Sequence, residues 1–343
     1  MHRRTLTPLV ILAAMMAVWL LVAVSASAQA QSVAAKPAAI DKTWTPPKTP
    51  DGAPDLQGVW TNQTNVPLER PPALGAKEIY TAEEVAANQK AAAEAGARRV
   101  ETGETGVHYD VAQFLLDRTH STTGVSERTS IIVGPEGRVP RVLPEAQKRQ
   151  ADRQAANRGH QWDGPENRAL GERCIVWPNE GPPMLPEGYN SNLQILQGPG
   201  YVAIEQEMIH DVRIIPTDGR PHAPANVRSY LGDARGHWEG NTLVVETTNF
   251  NNRGAFRGSS ENLQVVERFT RSNEDTILYQ FTVSDPSTWE KPWSGELPIT
   301  KIGGQLYEYA CQEGNYGLPN ILSGARATEA KEAKAAAEGA AKN

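Results

Sequence analysis

The sequence predicts a mostly β protein: an antiparallel barrel-like or sandwich core, with helical and loop insertions in its N-terminal half. Three observations carry this. From Asn192 onward, short strand-like runs follow one another at close spacing. Turn chemistry separates them, at Gly198-Pro199-Gly200, Asp218-Gly219, Glu239-Gly240-Asn241, Asn273-Glu274-Asp275 and Gly303-Gly304. No helical period intervenes, so hairpin-joined strands are expected rather than strands alternating with helices.

At the start of the chain, Arg3 and Arg4 precede an apolar run over Leu9–Val24. Small-residue sites follow at Ala26-Ser27-Ala28 and Ala28-Gln29-Ala30, the pattern of a cleaved secretory signal over residues 1–30. A retained membrane anchor is the alternative, for which the run is short. Without that segment, 32 basic residues stand against 40 acidic ones, a net charge of −8. A nucleic-acid-binding protein needs a basic face, and none is apparent. No second long apolar run exists, so the expectation is a soluble periplasmic or secreted protein with neither a nucleic-acid nor a membrane partner.

The two cysteines, Cys174 and Cys311, both lie in the exported part. Oxidation is permitted there, so a disulfide is expected, the alternative being two buried free thiols. With no C-x-x-C, a thiolate metal site or a redox dithiol is disfavoured.

Residues 31–54 read as an extended leader rich in Ala, Pro, Lys and Thr, and residues 55–324 as one β-rich domain. Leu56–Thr61 is the first strand candidate. A helix is predicted over Thr81–Arg99, where Thr81 and Glu84 have capping-box spacing. Residues 100–128 carry no period. Ser130–Pro140, with the turn Gly134-Pro135-Glu136-Gly137, suggests a hairpin; Pro144–Asn157 reads as a polar helix, and Trp162–Gly188 as an ordered loop fixed by Cys174. Strands are expected at Asn192–Gln197, Tyr201–Met208, Ile209–Ile215, Thr242–Phe250, Leu263–Arg271, Thr276–Val283, Leu297–Ile302 and Leu306–Cys311. Residues 325–343 form a low-complexity Ala/Glu/Lys tail.

Residues two apart on a strand share a face. If Tyr201–Ile215 kept one parity, Ala203, Glu205, Glu207, Ile209, Asp211 and Arg213 would lie on one side and His210 among apolar neighbours on the other, unless a bulge intervened. Glu267 shares a face with Leu263, Val265 and Phe269, whereas Arg268 lies opposite. A carboxylate on an apolar face must be paired, protonated or beside a cavity. A small barrel with a ligand chamber satisfies that requirement; a solvated outer face is the plainer alternative.

No nucleophile elbow, H-E-x-x-H, phosphate-binding loop or dinucleotide fingerprint is present. Glu205-x-Glu207 places two carboxylates about 6–7 Å apart at the backbone, compatible with glycoside chemistry. His210 is the candidate general base, with Asp211 or Glu207 as its catalytic partner. Arg213, Glu267, Arg268, Tyr309 and Asn315 are candidates for holding substrate. No cofactor is predicted, although His210 and His222 could ligate a divalent metal together with a carboxylate.

The stretches PDLQGVWTN (54–62), GPPMLP (181–186), EMIHDVRIIPTDGRPH (207–222), LGDARGHWEGNTLVVETTNF (231–250), VVERFTR (265–271) and YEYACQEGNYG (307–317) together resemble a large group of exported bacterial proteins of unassigned activity. Gly58-Val59-Trp60 also resembles the lipocalin entrance motif, which implies a ligand-holding barrel, although the long insertion up to Ser130 departs from that pattern. The functional expectation is a secreted barrel acting on a small organic substrate by acid/base chemistry, as a hydrolase or lyase. A non-catalytic binder of lipocalin type and an envelope interaction module are the alternatives.

Overall fold

The computed structural model describes residues 44–64, 66–101, 126–177, 180–186, 190–253 and 256–341. The expected signal segment, most of the leader and the connection 102–125 lie outside these residues.

Among these residues nine strands form one sheet: β1 (Gly58–Thr61), β2 (Asn192–Gly198), β3 (Tyr201–Gln206), β4 (Val212–Pro216), β5 (Asp233–Glu239), β6 (Thr242–Thr248), β7 (Gln264–Asn273), β8 (Thr276–Ser284) and β9 (Trp293–Lys301). Their order is β4-β3-β2-β1-β9-β8-β7-β6-β5, and every ladder in it is antiparallel. The sheet curls into a nearly closed barrel. The strand number fixes how closure ends: eight antiparallel steps return β5 in the same direction as β4, so the two edges meet parallel. No ladder joins these edges among the described residues.

One end of this seam is nevertheless tight. A side chain at Gly236 would come within 2.9 Å of Ile215 Cγ2 and 3.0 Å of Thr217 Cγ2, so glycine there lets β5 approach β4. The other end, at Asp211–Ile214 and Gly232–Ala234, stays open.

Alternation along the strands fills the barrel. Trp60, Ile195, Ile204, Leu243, Phe269 and Phe281 belong to one continuous buried cluster, each such side chain adding roughly 1.5–3 kcal/mol of burial free energy. The expected wet chamber is corrected accordingly: the inward-facing side chains pack mainly against one another. Two arginines interrupt the hydrocarbon. The terminal nitrogens of Arg271 donate to the carbonyls of Asp55 and Glu274, both at 2.8 Å. Its guanidinium lies 5.6 Å from the Trp60 ring centroid and 5.8 Å from that of Trp44, which ties the leader's end to the barrel. The second is Arg213.

Among the described residues, three α-helices decorate the sheet: α1 (Ala82–Glu101), α2 (Pro144–Asn157) and α3 (Gly317–Ala340). The capping box of α1 is complete. The Thr81 N–H donates to Glu84 Oε2 at 2.8 Å, and the Glu84 N–H donates to Thr81 Oγ1 at 3.3 Å. The low-complexity tail is helical through most of its length, as part of α3.

Cys174 and Cys311 are bonded, with Cα atoms 5.7 Å apart and a sequence separation of 137. The disulfide pins the segment after β9 to the loop before β2. Leu306–Cys311, expected as a strand, carries no ladder and is held instead by this bond. The Ser130–Pro140 hairpin is also corrected: Ile132 bridges to Gly295 on β9, and Val142 to Trp289.

The β3–β4 turn overturns the single-parity reading. Ile209 and His210 both have positive φ, 61° and 64°, so the chain reverses over 207–211 and the Gln206 N–H reaches Asp211 O at 2.9 Å. Arg213 then pairs with Ile204 and points inward, while Glu205 points outward.

Candidate functional site

The open end of the seam is a cleft of about 300 Å³, at the small end of the range for ligand pockets. Its walls come from three places. Asp211, Val212, Arg213 and Ile214 are the start of β4; Ser229, Tyr230, Leu231, Gly232 and Ala234 are the approach to β5; Ile175 and Val176 follow the disulfide-bonded Cys174. Gly232 has φ of 73°, and a side chain there would meet Thr247 Cγ2 and Thr248 O at 2.6 Å. Only glycine fits this approach, and it gives the wall its close packing on β6.

Behind the cleft lies a buried polar relay. Arg213 Nη1 donates to Glu267 Oε1 at 3.1 Å and Nη2 donates to Glu267 Oε2. The Tyr279 hydroxyl donates to Glu267 Oε1 at 2.8 Å and accepts from the Met184 N–H at 2.8 Å. Arg213 and Glu267 are 3% and 0% exposed at the side chain, so water does not screen them. Burial opposes the Arg213 charge, but Glu267 outweighs burial and holds the guanidinium above its ordinary range. Burial and then the Glu267 charge push the Tyr279 phenol well above its ordinary value. Arg213 Nε is buried without a hydrogen-bond partner.

Asp211 differs from these groups because it is half-buried on the cleft wall itself. Burial raises its proton affinity, and the Val212 N–H and the Arg213 charge offset this only in part. The Val212 N–H reaches Asp211 Oδ1 at 2.8 Å.

Of the residues singled out in the sequence, the structure brings Asp211, Arg213 and Glu267 together here. The others lie elsewhere. His210 sits on the exposed β3–β4 turn, its Nε2 3.0 Å from Glu205 Oε1. Glu207 accepts from Asn192 Nδ2 at 2.8 Å, so Glu205 and Glu207 are held by different neighbours. Arg268 is on the outer face of β7, 2.9 Å from Glu239. Asn315 Nδ2 donates to Glu172 O at 2.8 Å beside the disulfide, and Tyr309 belongs to the same segment. His222 Nδ1 is 2.9 Å from Asp233 Oδ2. The two histidines thus meet separate carboxylates, and no group of three His, Cys, Asp or Glu suited to a metal is found among the described residues. Ile175, Val176, Ser229, Tyr230 and Leu231 carry no sequence signal of their own. They fall in loop-like stretches and become a site only when the edges of the sheet meet.

Fold and site together define a nearly closed antiparallel barrel with a ligand-sized opening at its one unpaired seam. No family model matches the chain, and neither a curated protein nor a solved structure is significantly similar to it.

Proposed function

We propose that this protein binds a small organic molecule in the seam cleft between β4 and β5. One observation carries the reading: apolar residues and a half-buried carboxylate line one opening, and Arg213 on its wall is held from behind by the buried Glu267 and Tyr279. An apolar pocket with a few placed polar groups is the usual form of a small-molecule site. The packed barrel interior supports the seam, rather than a central chamber, as the place of binding.

The test is titration with benzylamine, benzyl alcohol and benzoate, followed calorimetrically. At least one should bind the native protein and fail to bind Ala234→Phe, which fills the cleft, and Val212→Trp, which obstructs its exposed rim. Undiminished binding by variants that melt like the native protein would exclude the site.

Acid/base catalysis is a second reading, favoured by the position of Asp211. A half-buried carboxylate with raised proton affinity is suited to proton transfer. Hydrolysis of 4-nitrophenyl acetate above the buffer rate, lost in Asp211→Asn while benzyl alcohol binding persists, would support turnover. No excess rate in the native protein would leave the binding reading alone.

A further inference from the structure

We infer that the occupant of the seam cleft is a small organic cation, a protonated amine on an apolar body of about one ring, seated with its nitrogen against Asp211. This rests on the binding reading above and names the chemistry of the ligand.

The argument is one of charge balance inside the cleft. Two charged side chains line it, Asp211 and Arg213. Arg213 is already committed: both of its terminal nitrogens lie on the two oxygens of Glu267, and its positive charge is cancelled where it is buried. The Asp211 carboxylate has no such partner among the described residues. Its hydrogen bond comes from the neutral Val212 N–H, and Arg213, which would otherwise neutralise it, is turned toward Glu267. When the carboxylate is ionised, the cleft therefore carries one unbalanced negative charge in a partly desolvated setting. A guest ammonium removes that imbalance, whereas a guest carboxylate adds to it and displaces water from both anions.

The remaining walls specify the rest of the guest. Ile175, Val176, Leu231 and Tyr230 line the cleft, with the more exposed Val212 and Ile214 at its rim, residue types that accept an apolar body and, at an aromatic ring, the flank of an ammonium group. A volume of about 300 Å³ is enough for a one-ring molecule. The raised proton affinity of Asp211 is in keeping with a carboxylate awaiting a counter-charge.

The experiment compares the three one-ring probes on the intact protein at neutral pH. Benzylamine should bind at least about tenfold more tightly than benzyl alcohol and benzoate. In Asp211→Asn, whose side-chain oxygen can still accept the Val212 N–H, that preference should disappear while benzyl alcohol binding is kept. Equal affinities for all three probes, abolished together by Ala234→Phe, would overturn the cation assignment and leave the seam site standing. Tighter binding of benzoate than benzylamine in the native protein, or a preference unchanged in Asp211→Asn, would also overturn it. Failure of every probe to bind would overturn the inference along with the binding reading beneath it.

Discussion

Arg213 on β4 and Glu267 on β7 meet inside the barrel through two parallel hydrogen bonds, although β4 and β7 are not neighbours in the sheet. The pair spans the barrel close to the unpaired seam, and Tyr279 extends it to the Met184 backbone. It is the charged part of the barrel interior near the cleft.

Breaking this pair on one side leaves a buried charge without a partner. Glu267→Gln should therefore lower unfolding free energy by about 3–5 kcal/mol, whereas Arg213→Met combined with Glu267→Met should recover most of that loss. Tyr279→Phe should cost about 1–3 kcal/mol, because the Met184 N–H and Glu267 each lose a partner. Urea denaturation of the four proteins measures these differences. Equal losses for the Glu267 single and the double variant would contradict the picture of a self-cancelling pair.

The disulfide acts on both stability and site. Closing a loop with a sequence separation of 137 is worth about 5 kcal/mol in the chain-entropy model. Cys174→Ser with Cys311→Ser should lose a comparable amount. Because Ile175 and Val176 follow Cys174 directly, the variant should also bind cleft ligands more weakly even where it is fully folded. A stability loss with unaltered ligand affinity would mean that this wall is held by other contacts.

Asp211 gives the stability a pH dependence of definite sign. Burial lifts its folded-state proton affinity above the ordinary value of 3.8. Between 3.8 and the higher folded value, the folded chain holds a proton that the unfolded chain has released, so stability falls as pH rises. The contribution is fully present below 3.8 and lost above the folded value. The difference in unfolding free energy between native protein and Asp211→Asn should therefore shift in favour of the variant as pH is raised from about 3 toward 7. A difference that is flat, or that moves the other way, would show that Asp211 is solvated.

The seam should be visible in amide exchange. β4 and β5 each have a ladder on one side only, whereas β7 and β8 are paired on both sides. On average their amides should exchange well before those of β7 and β8. Uniform protection across all four strands would indicate that the barrel is closed by hydrogen bonds.

The sequence made much of the fold legible where composition and period agree. The helix Pro144–Asn157 coincides with its sequence reading, and Asn192–Gly198 and Thr276–Ser284 follow theirs to within a residue. β5 escaped notice because DARGHWE is charged and contains glycine; its glycine is there for close approach to β4 and not for a turn. The β3–β4 reversal was illegible for a different reason. Ile209 and His210 adopt left-handed backbone without any Gly, Asn or Pro to announce it, and this flipped the inferred face of Arg213. Leu306–Cys311 has the apolar content of a strand but carries no ladder. In the site, Asp211, Arg213 and Glu267 were legible as ionisable groups in strand-like apolar stretches. The opposing wall was not, since the parallel meeting of β4 and β5 is a consequence of strand number and cannot be read from any local segment.

The central claim is that ligands bind at this seam. It is tested most directly by two-dimensional amide NMR of the labelled protein during addition of benzylamine, benzyl alcohol and benzoate. Resonance shifts should concentrate at residues 175–176, 211–214 and 229–234, and should vanish in Ala234→Phe. Shifts centred instead on the His210–Glu205 turn or on the outer face at Leu196 and Tyr201, or saturating binding with none at the seam, would contradict the account.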